Sequence, residues 1–206
     1  MILIKKKIPP RSFTEYKNQP TSSFDELPTD IKQELRLSLL KEQGYICAYC
    51  MKRISEETDV KIEHYKPKSL YPMEELNYKN LLAVCDGGIG TPLKRQTCDT
   101  QKGSQELSFN PQNESDVSTI FFSRNGKIYS SNPIFQTEFD TILNLNDQYG
   151  YLIKNRHKAL ITFQKKISKM NNSQIGNYYK WLKENSTEKK LEYLGIILWY
   201  LSKKFE

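Results

Sequence analysis

All four cysteines of this 206-residue chain fall between positions 47 and 98, and that clustering constrains the fold more than any other feature. Cys47 and Cys50 have two residues between them, Cys85 and Cys98 have twelve. A Cys-Ala-Tyr-Cys turn lets two thiolates reach one ion from a single knuckle, and the later pair can complete a tetrahedral sulfur shell suited to Zn²⁺. The alternative is a redox pair at Cys47 and Cys50. That motif usually opens a helix after a strand, whereas here it follows a predicted helix. With every ligand supplied by the protein the zinc would be structural, holding together a region too poor in apolar residues to fold unaided.

Around this window the chain has the profile of a folded protein, with 37% hydrophobic and 27% charged residues. Its length suits one substantial domain, or a small catalytic unit with a helical extension. The net charge of +7 favours polyanions as partners, although a merely lysine-rich surface would give the same sum. No apolar run approaches the ~20 residues of a membrane span. At the start, Lys5-Lys6-Lys7 follow a very short apolar stretch, an order wrong for a signal peptide. The expected location is therefore cytoplasmic, where cysteines are reduced and metal-bound more often than disulfide-paired.

Residues 1–28, with Pro9, Pro10, Pro20 and Pro28, predict an extended arm lying on the body. Thr29 or Asp30 can cap a helix whose Ile31, Leu35 and Leu39 recur every fourth position, ending near Gly44. Val60 to His64 alternates as a half-buried strand, with Ile62 and His64 on one face. Leu81 to Val84 suits a second strand, and Asp86 to Gly90 a loop. Ile120-Phe121-Phe122 and Ile128-Tyr129 flank Asn125-Gly126, a dipeptide that supplies the positive φ angles of a tight hairpin. From Phe135 onward the pattern is helical, with one segment near Leu152 to Met170 and a last one from about Glu188 to Lys203. The last carries apolar residues on more than one face, which fits a sandwiched core helix or one docked on a partner.

Between the cysteine pairs lie Glu63-His64-Tyr65-Lys66-Pro67 and Asn80-Leu81-Leu82-Ala83-Val84-Cys85, and the window closes on Cys98-Asp99-Thr100-Gln101-Lys102-Gly103. Taken with Cys47 and Cys50, these motifs resemble the HNH endonuclease family with its ββα-metal core. More narrowly they resemble the HNH components of Septu-type anti-phage systems (PtuB-like), some of which accompany retrons. The likeness covers Cys47 to Gly103 and extends more weakly to Met1 to Lys6, Ile142 to Asn146 and Arg156.

The resemblance implies that His64 is a general base and that Glu63 and Asp99 bind a catalytic Mg²⁺ or Mn²⁺, the three groups converging on a single hard cation. Asn80 would tie the loop between the strands and keep the imidazole aimed. Asn77 is the alternative, but Asn80 directly precedes the second strand. Asp99 stands where the family commonly has His or Asn, and the insertion from Asp86 to Thr97 leaves Asp86 as a substitute ligand. Lys66, Lys68, Lys94, Arg95 and Lys102 could neutralise phosphates flanking the cut, Lys102 first because it sits one helical turn from Asp99. His157, in a basic helix, reads as a hydrogen-bonded structural residue.

The expected fold class is therefore α+β: an extended arm at 1–28, a zinc-stapled HNH core at 29–108, and a β-hairpin with a helical region at 109–206. The expected activity is hydrolysis of DNA or RNA to 5′-phosphate and 3′-hydroxyl ends. The rival is a non-catalytic zinc-stabilised nucleic-acid-binding or scaffolding module. The Septu likeness also implies an ABC/SMC-like ATPase partner, with the last helix as a candidate docking element, since the chain has no Gly-rich Lys-Ser/Thr phosphate loop of its own.

Overall fold

The apolar spacing of Leu35 and Leu39 forms a helix over Thr29–Gln43 (α2) in the computed structural model, which describes residues 1–55, 59–147, 149–184 and 189–205. Gly44, at φ 73°, supplies the left-handed turn that ends it. Neither Thr29 nor Asp30 caps the other end. Pro28 occupies the cap position with no side-chain hydrogen bond, and Asp30 sits in the first turn, where its charge opposes the helix dipole.

The first 28 residues are not wholly extended. Pro10 presets the backbone for a short helix, Arg11–Lys17 (α1), which buries Phe13 and Tyr16 at a three-residue spacing and packs on α2. Before it the chain is extended and tied down. Ile4 N donates to the Pro111 carbonyl (2.9 Å), while Lys6 Nζ (2.5 Å) and Lys7 N (2.6 Å) both donate to Glu42.

Lys61–His64 (β1) and Leu81–Val84 (β2) pair antiparallel, Glu63 opposite Leu82 and His64 opposite Leu81. β2 is buried throughout, and its far edge is not left bare. The Gln43 side chain exchanges two hydrogen bonds of 2.8 Å with Ala83, and Ala48 N donates to the same carbonyl. A loop then leads to Cys98–Lys102 (α3) and Glu114–Ser118 (α4).

Ile120–Phe122 (β3) and Ile128–Ser130 (β4) form the second two-stranded sheet. Its turn is longer than the two-residue form expected from Asn125-Gly126. Gly126 N bonds Ser123 O, Ser123 N bonds Lys127 O, and only Gly126 has positive φ, at 96°. A Cβ on Gly126 would stand 2.1 Å from the Ile153 carbonyl of the helix behind it. Gly126→Ala should thus cost about 1–3 kcal/mol from backbone strain, before any displacement of that helix. Urea unfolding measures this, and an unchanged midpoint would contradict the close packing.

The remaining helices are Pro133–Thr137 (α5, running on as a π-turn through Ile142), Tyr151–Ile167 (α6), Asn172–Glu184 (α7) and Leu194–Phe205 (α8). The last helix, expected from about Glu188, opens only at Leu194; Glu188 itself lies outside the described residues, and positions 189–193 are not helical. α8 packs against α6, α7 and β3, and Leu194, Ile196, Ile197 and Leu201 are buried. Its apolar breadth therefore serves the protein's own core, because a helix covered on several sides needs more than one apolar face.

The architecture is mixed α/β, two small sheets among helices, and one hydrophobic cluster runs from Met1 to Leu201 through all three stretches. The cysteine region is not poor in apolar residues once folded: Ile46, Tyr49, Met51 and Ile54 lie inside that cluster. No helix among the described residues is long and apolar enough to cross a membrane.

Candidate metal centre and adjoining acid pair

Cys47 and Cys50 sit on the turn after α2, Cys85 directly follows β2 and Cys98 opens α3, so three separate elements deliver four thiols to one point. All four are buried, and their sulfurs lie within 4.8 Å of one another. The Cys47–Cys98 and Cys50–Cys85 sulfur separations are 3.9 and 3.7 Å. A tetrahedral shell with Zn–S bonds of ~2.3 Å has edges of about 3.8 Å. The donor set and its spacing therefore fit a metal such as zinc, and with sulfur at all four corners it would be structural. Lys52 N lies 3.4 Å from Cys50 Sγ, the usual supporting contact of such a knuckle. Cys98 takes φ 56°, which turns the chain sharply into α3.

Burial works against the Cys47 thiolate, but hydrogen bonds from Cys50, Cys85 and Cys98 hold it well below the usual thiol range. Contact with Cys47 in turn pushes Cys50 and Cys98 up.

Beside the cysteines, strand alternation places Glu63 inside, 4% exposed, while Ile62 and His64 face the other way. Glu63 Oε1 accepts from the buried Tyr49 hydroxyl at 3.0 Å and from Lys102 Nζ at 2.7 Å. Asp99 adjoins it, and Asp99 Oδ2 pairs with Lys61 Nζ at 2.5 Å. Burial and the neighbouring Asp99 carboxyl push Glu63 up to about 8 against the opposing pull of Lys102. Asp99 moves the other way: burial resists, but hydrogen bonds from Glu63 and Lys61 hold it below the usual range. One carboxyl is thus protonated readily and the other stays ionised, as happens when two acids share a small space.

His64 is on the outer face. Its Nε2 lies 3.0 Å from the Glu75 carbonyl, and its ring meets Phe24 edge-on with centroids 4.4 Å apart. Burial lowers its pKa from the ordinary imidazole value. The expected convergence of Glu63, His64 and Asp99 on one ion is not what is found. Among the described residues, the cysteines form the one group of three or more His, Cys, Asp or Glu whose ligand atoms converge. Alternation is the reason, since neighbours on a strand point to opposite faces.

Asn80 is buried and bridges two backbone segments, accepting from Lys66 N (2.7 Å) and donating to the Lys66 and Glu74 carbonyls (3.1 Å each). Asn77 instead caps the single turn Tyr78–Asn80 through Lys79 N. Asp86 is exposed, its carboxylate 3.5 Å from Lys52 Nζ, and its carbonyl accepts from the Thr100 hydroxyl at 2.8 Å.

The basic residues scatter. Lys66 is exposed above the Tyr71 ring, Lys68 pairs with Asp25 at 2.5 Å, and Lys94 and Arg95 lie over the Tyr149 ring. Lys102, expected first at a flanking phosphate, is instead 1% exposed and paired with Glu63, since the five-residue α3 turns it inward. His157 bonds the Arg124 carbonyl, a structural contact. Three residues of the site went unforeseen. Tyr49 lies within the knuckle itself, and Lys61 sits two positions before Glu63 on the same strand face, so the alternation already held that signal. For Phe24 no local signal exists.

Lys102→Met would leave the buried Glu63 without its cation, while Lys61 stays on Asp99, and above about pH 8, where Glu63 is ionised, stability should fall by about 3 kcal/mol or more. The double variant Glu63→Gln with Lys102→Met should recover most of it, because burying neutral groups is far cheaper than burying a lone charge. Paired urea titrations decide, and additive losses would show that the pair is not coupled.

No family model matches the chain. Three curated proteins are similar to it. Septu protein PtuB of Bacillus thuringiensis is 36% identical over 72 residues, 34% of this chain and 27% of that protein. A candidate HNH endonuclease of retron Ec83 from Escherichia coli is 34% identical over 82 residues, 35% of this chain and 32% of that protein. The chain therefore matches a third or less of the length of these two relatives. A candidate HNH endonuclease of retron Vc95 from Vibrio cholerae is 27% identical over 159 residues, 72% of this chain and 75% of that protein. At low identity and partial coverage, these likenesses support an HNH-like family for this chain.

Proposed function

We propose that the chain is a metal-dependent HNH endonuclease of an anti-phage defence system, with residues 29–108 as a ββα-metal core. The observation that carries this reading is the Glu63–Asp99 acid pair: Glu63, buried on β1 one residue before His64, meets the half-buried Asp99 of α3 beside a four-cysteine cluster. Glu63 and Asp99 would hold a hard Mg²⁺ or Mn²⁺, since two adjoining carboxyls repel and a dication relieves that repulsion. When bound, the ion would stabilise charge on the crowded phosphate and the departing oxygen.

His64 supplies the base. The Glu75 carbonyl can only accept, so Nε2 carries the proton and Nδ1 keeps its lone pair for a proton from water. Burial lowers the imidazole pKa and so favours the neutral ring that a base requires. Asn80 holds the segment from Lys66 to Glu74 against the strand, and Glu75, the next residue, presents the carbonyl that orients His64. Lys66, Lys68, Lys94 and Arg95 are the candidate phosphate contacts, and their contribution should weaken with salt.

By the same likeness, the chain would act with an ABC/SMC-like ATPase. The test is a cleavage assay of purified protein, alone and with its genomic neighbour, on duplex DNA, single strands and structured RNA, with and without Mg²⁺ or Mn²⁺. Metal-dependent cuts with 5′-phosphate ends are expected. Binding without turnover under every condition would favour the non-catalytic zinc module instead.

A further inference from the structure

Arg156, on α6, is the largest fully buried side chain among the described residues, at 0% exposure. Its Nη2 donates to the Leu145 carbonyl at 2.5 Å, while Nε and Nη1 have no hydrogen-bond partner among the described residues. A buried cation with two idle donors costs several kcal/mol unless an anion answers it. Among the described residues no carboxylate pairs with it directly. The nearest in charge, Asp147, already accepts from the Tyr151 and Leu152 amides at the start of α6.

The structure around Arg156 leads to the cysteines. Its anchor Leu145 is two residues from Leu143, whose carbonyl accepts from Cys98 N at 2.9 Å. On the other side Tyr193 N donates to the Met51 carbonyl at 2.9 Å, next to Cys50. The buried Tyr193 hydroxyl lies beside Asn155 without a well-formed hydrogen bond. Burial pushes the guanidinium down to about 10, and the groups that oppose this once ionised are Cys50 first, then Tyr193 and Cys98.

Four thiolates around Zn²⁺ carry a net double negative charge, which in a dry interior needs donors and a counter-charge as much as Arg156 needs an anion. We infer that Arg156 is the outer-sphere counter-cation of the zinc tetrathiolate, its Nε and Nη1 hydrogens, which reach no sulfur within hydrogen-bond distance in this structure, turning to the Cys50 and Cys98 side of the cluster when zinc is bound. Arg156 is thus a positioning residue for the metal, and it ties the C-terminal helices to the knuckle. The inference rests on zinc at the cysteines and is independent of the nuclease reading.

The test compares Arg156→Met, Arg156→Lys and a packing control on the same helix, Leu160→Ala, all in the full chain. One readout is the rate at which zinc passes to a competing chelator. The other is the sulfur-to-metal charge-transfer spectrum of the cobalt(II)-substituted protein. Arg156→Met should speed zinc transfer about 10–100-fold and shift the cobalt bands. Arg156→Lys should fall between it and wild type, and Leu160→Ala should leave the bands in place. Wild-type bands and release rate in Arg156→Met would overturn the assignment, as would equal shifts in Leu160→Ala. If Arg156→Met does not fold, Arg156→Lys decides, since an ammonium lacks the guanidinium fork: bands and rate unchanged from wild type overturn the proposal. Wild-type protein that retains neither metal overturns it at the outset, whatever the cleavage assay gives.

Discussion

Cys85→Ser is expected to abolish zinc retention and cooperative folding together. Cys85 ends the buried strand β2, and its sulfur is 3.7 Å from that of Cys50, on the knuckle that follows α2. Binding of structural zinc in comparable sites is worth about 10–16 kcal/mol. Net stabilities of domains are about 5–15 kcal/mol, so losing even half of the metal's contribution removes most of the margin. Two four-residue strands cannot replace it, because a lone two-stranded sheet is marginal in water. Metal analysis together with thermal unfolding provides the check, and the same loss should follow chelation of the wild type. A metal-free variant that still melts in one sharp transition would mean that the hydrophobic cluster from Met1 to Leu201 is sufficient by itself.

His64→Ala should lower cleavage about 10²–10⁴-fold, the usual contribution of a positioned general base. The ring's other contacts are modest, one hydrogen bond to the Glu75 carbonyl and an edge-on contact with Phe24. Their loss should cost only about 1–2 kcal/mol. Zinc content and the unfolding transition should therefore stay close to wild type while turnover collapses. Cleavage at the wild-type rate in this variant would remove His64 from the chemistry and shift attention to the acid pair alone.

Much of the site was legible locally. Cysteine spacing predicts a knuckle because a short turn can aim two sulfurs at one point, and the knuckle is there. Alternation along Lys61–His64 puts Glu63 and His64 on opposite faces, and the expectation that both meet Asp99 at one ion overlooked that consequence of a two-residue period. Asn80 was identifiable because an asparagine just ahead of a strand can bridge to the neighbouring segment, whereas Asn77 falls where a turn needs a cap. The insertion between Cys85 and Cys98 did not displace Asp99 from Glu63, because the loop is an excursion whose ends return to the same place: Thr97 N bonds the Gly87 carbonyl at 2.9 Å.

What the sequence by itself determined were the periodic and backbone-limited features: α2 and its stop at Gly44, the two strands of the acid site, the hairpin and the run of C-terminal helices. Each follows from residues a few positions apart, where sterics and side-chain period leave little choice. Tertiary structure alone decided which charges went inside. Lys102 meets Glu63 across 39 positions, Lys6 meets Glu42 across 36, and Arg156 is fully buried with only the Leu145 carbonyl as its hydrogen-bond partner among the described residues. A lysine or arginine in a sequence looks like a surface residue because burying a lone charge is prohibitive. Only the folded chain shows where an opposite charge makes the interior tolerable.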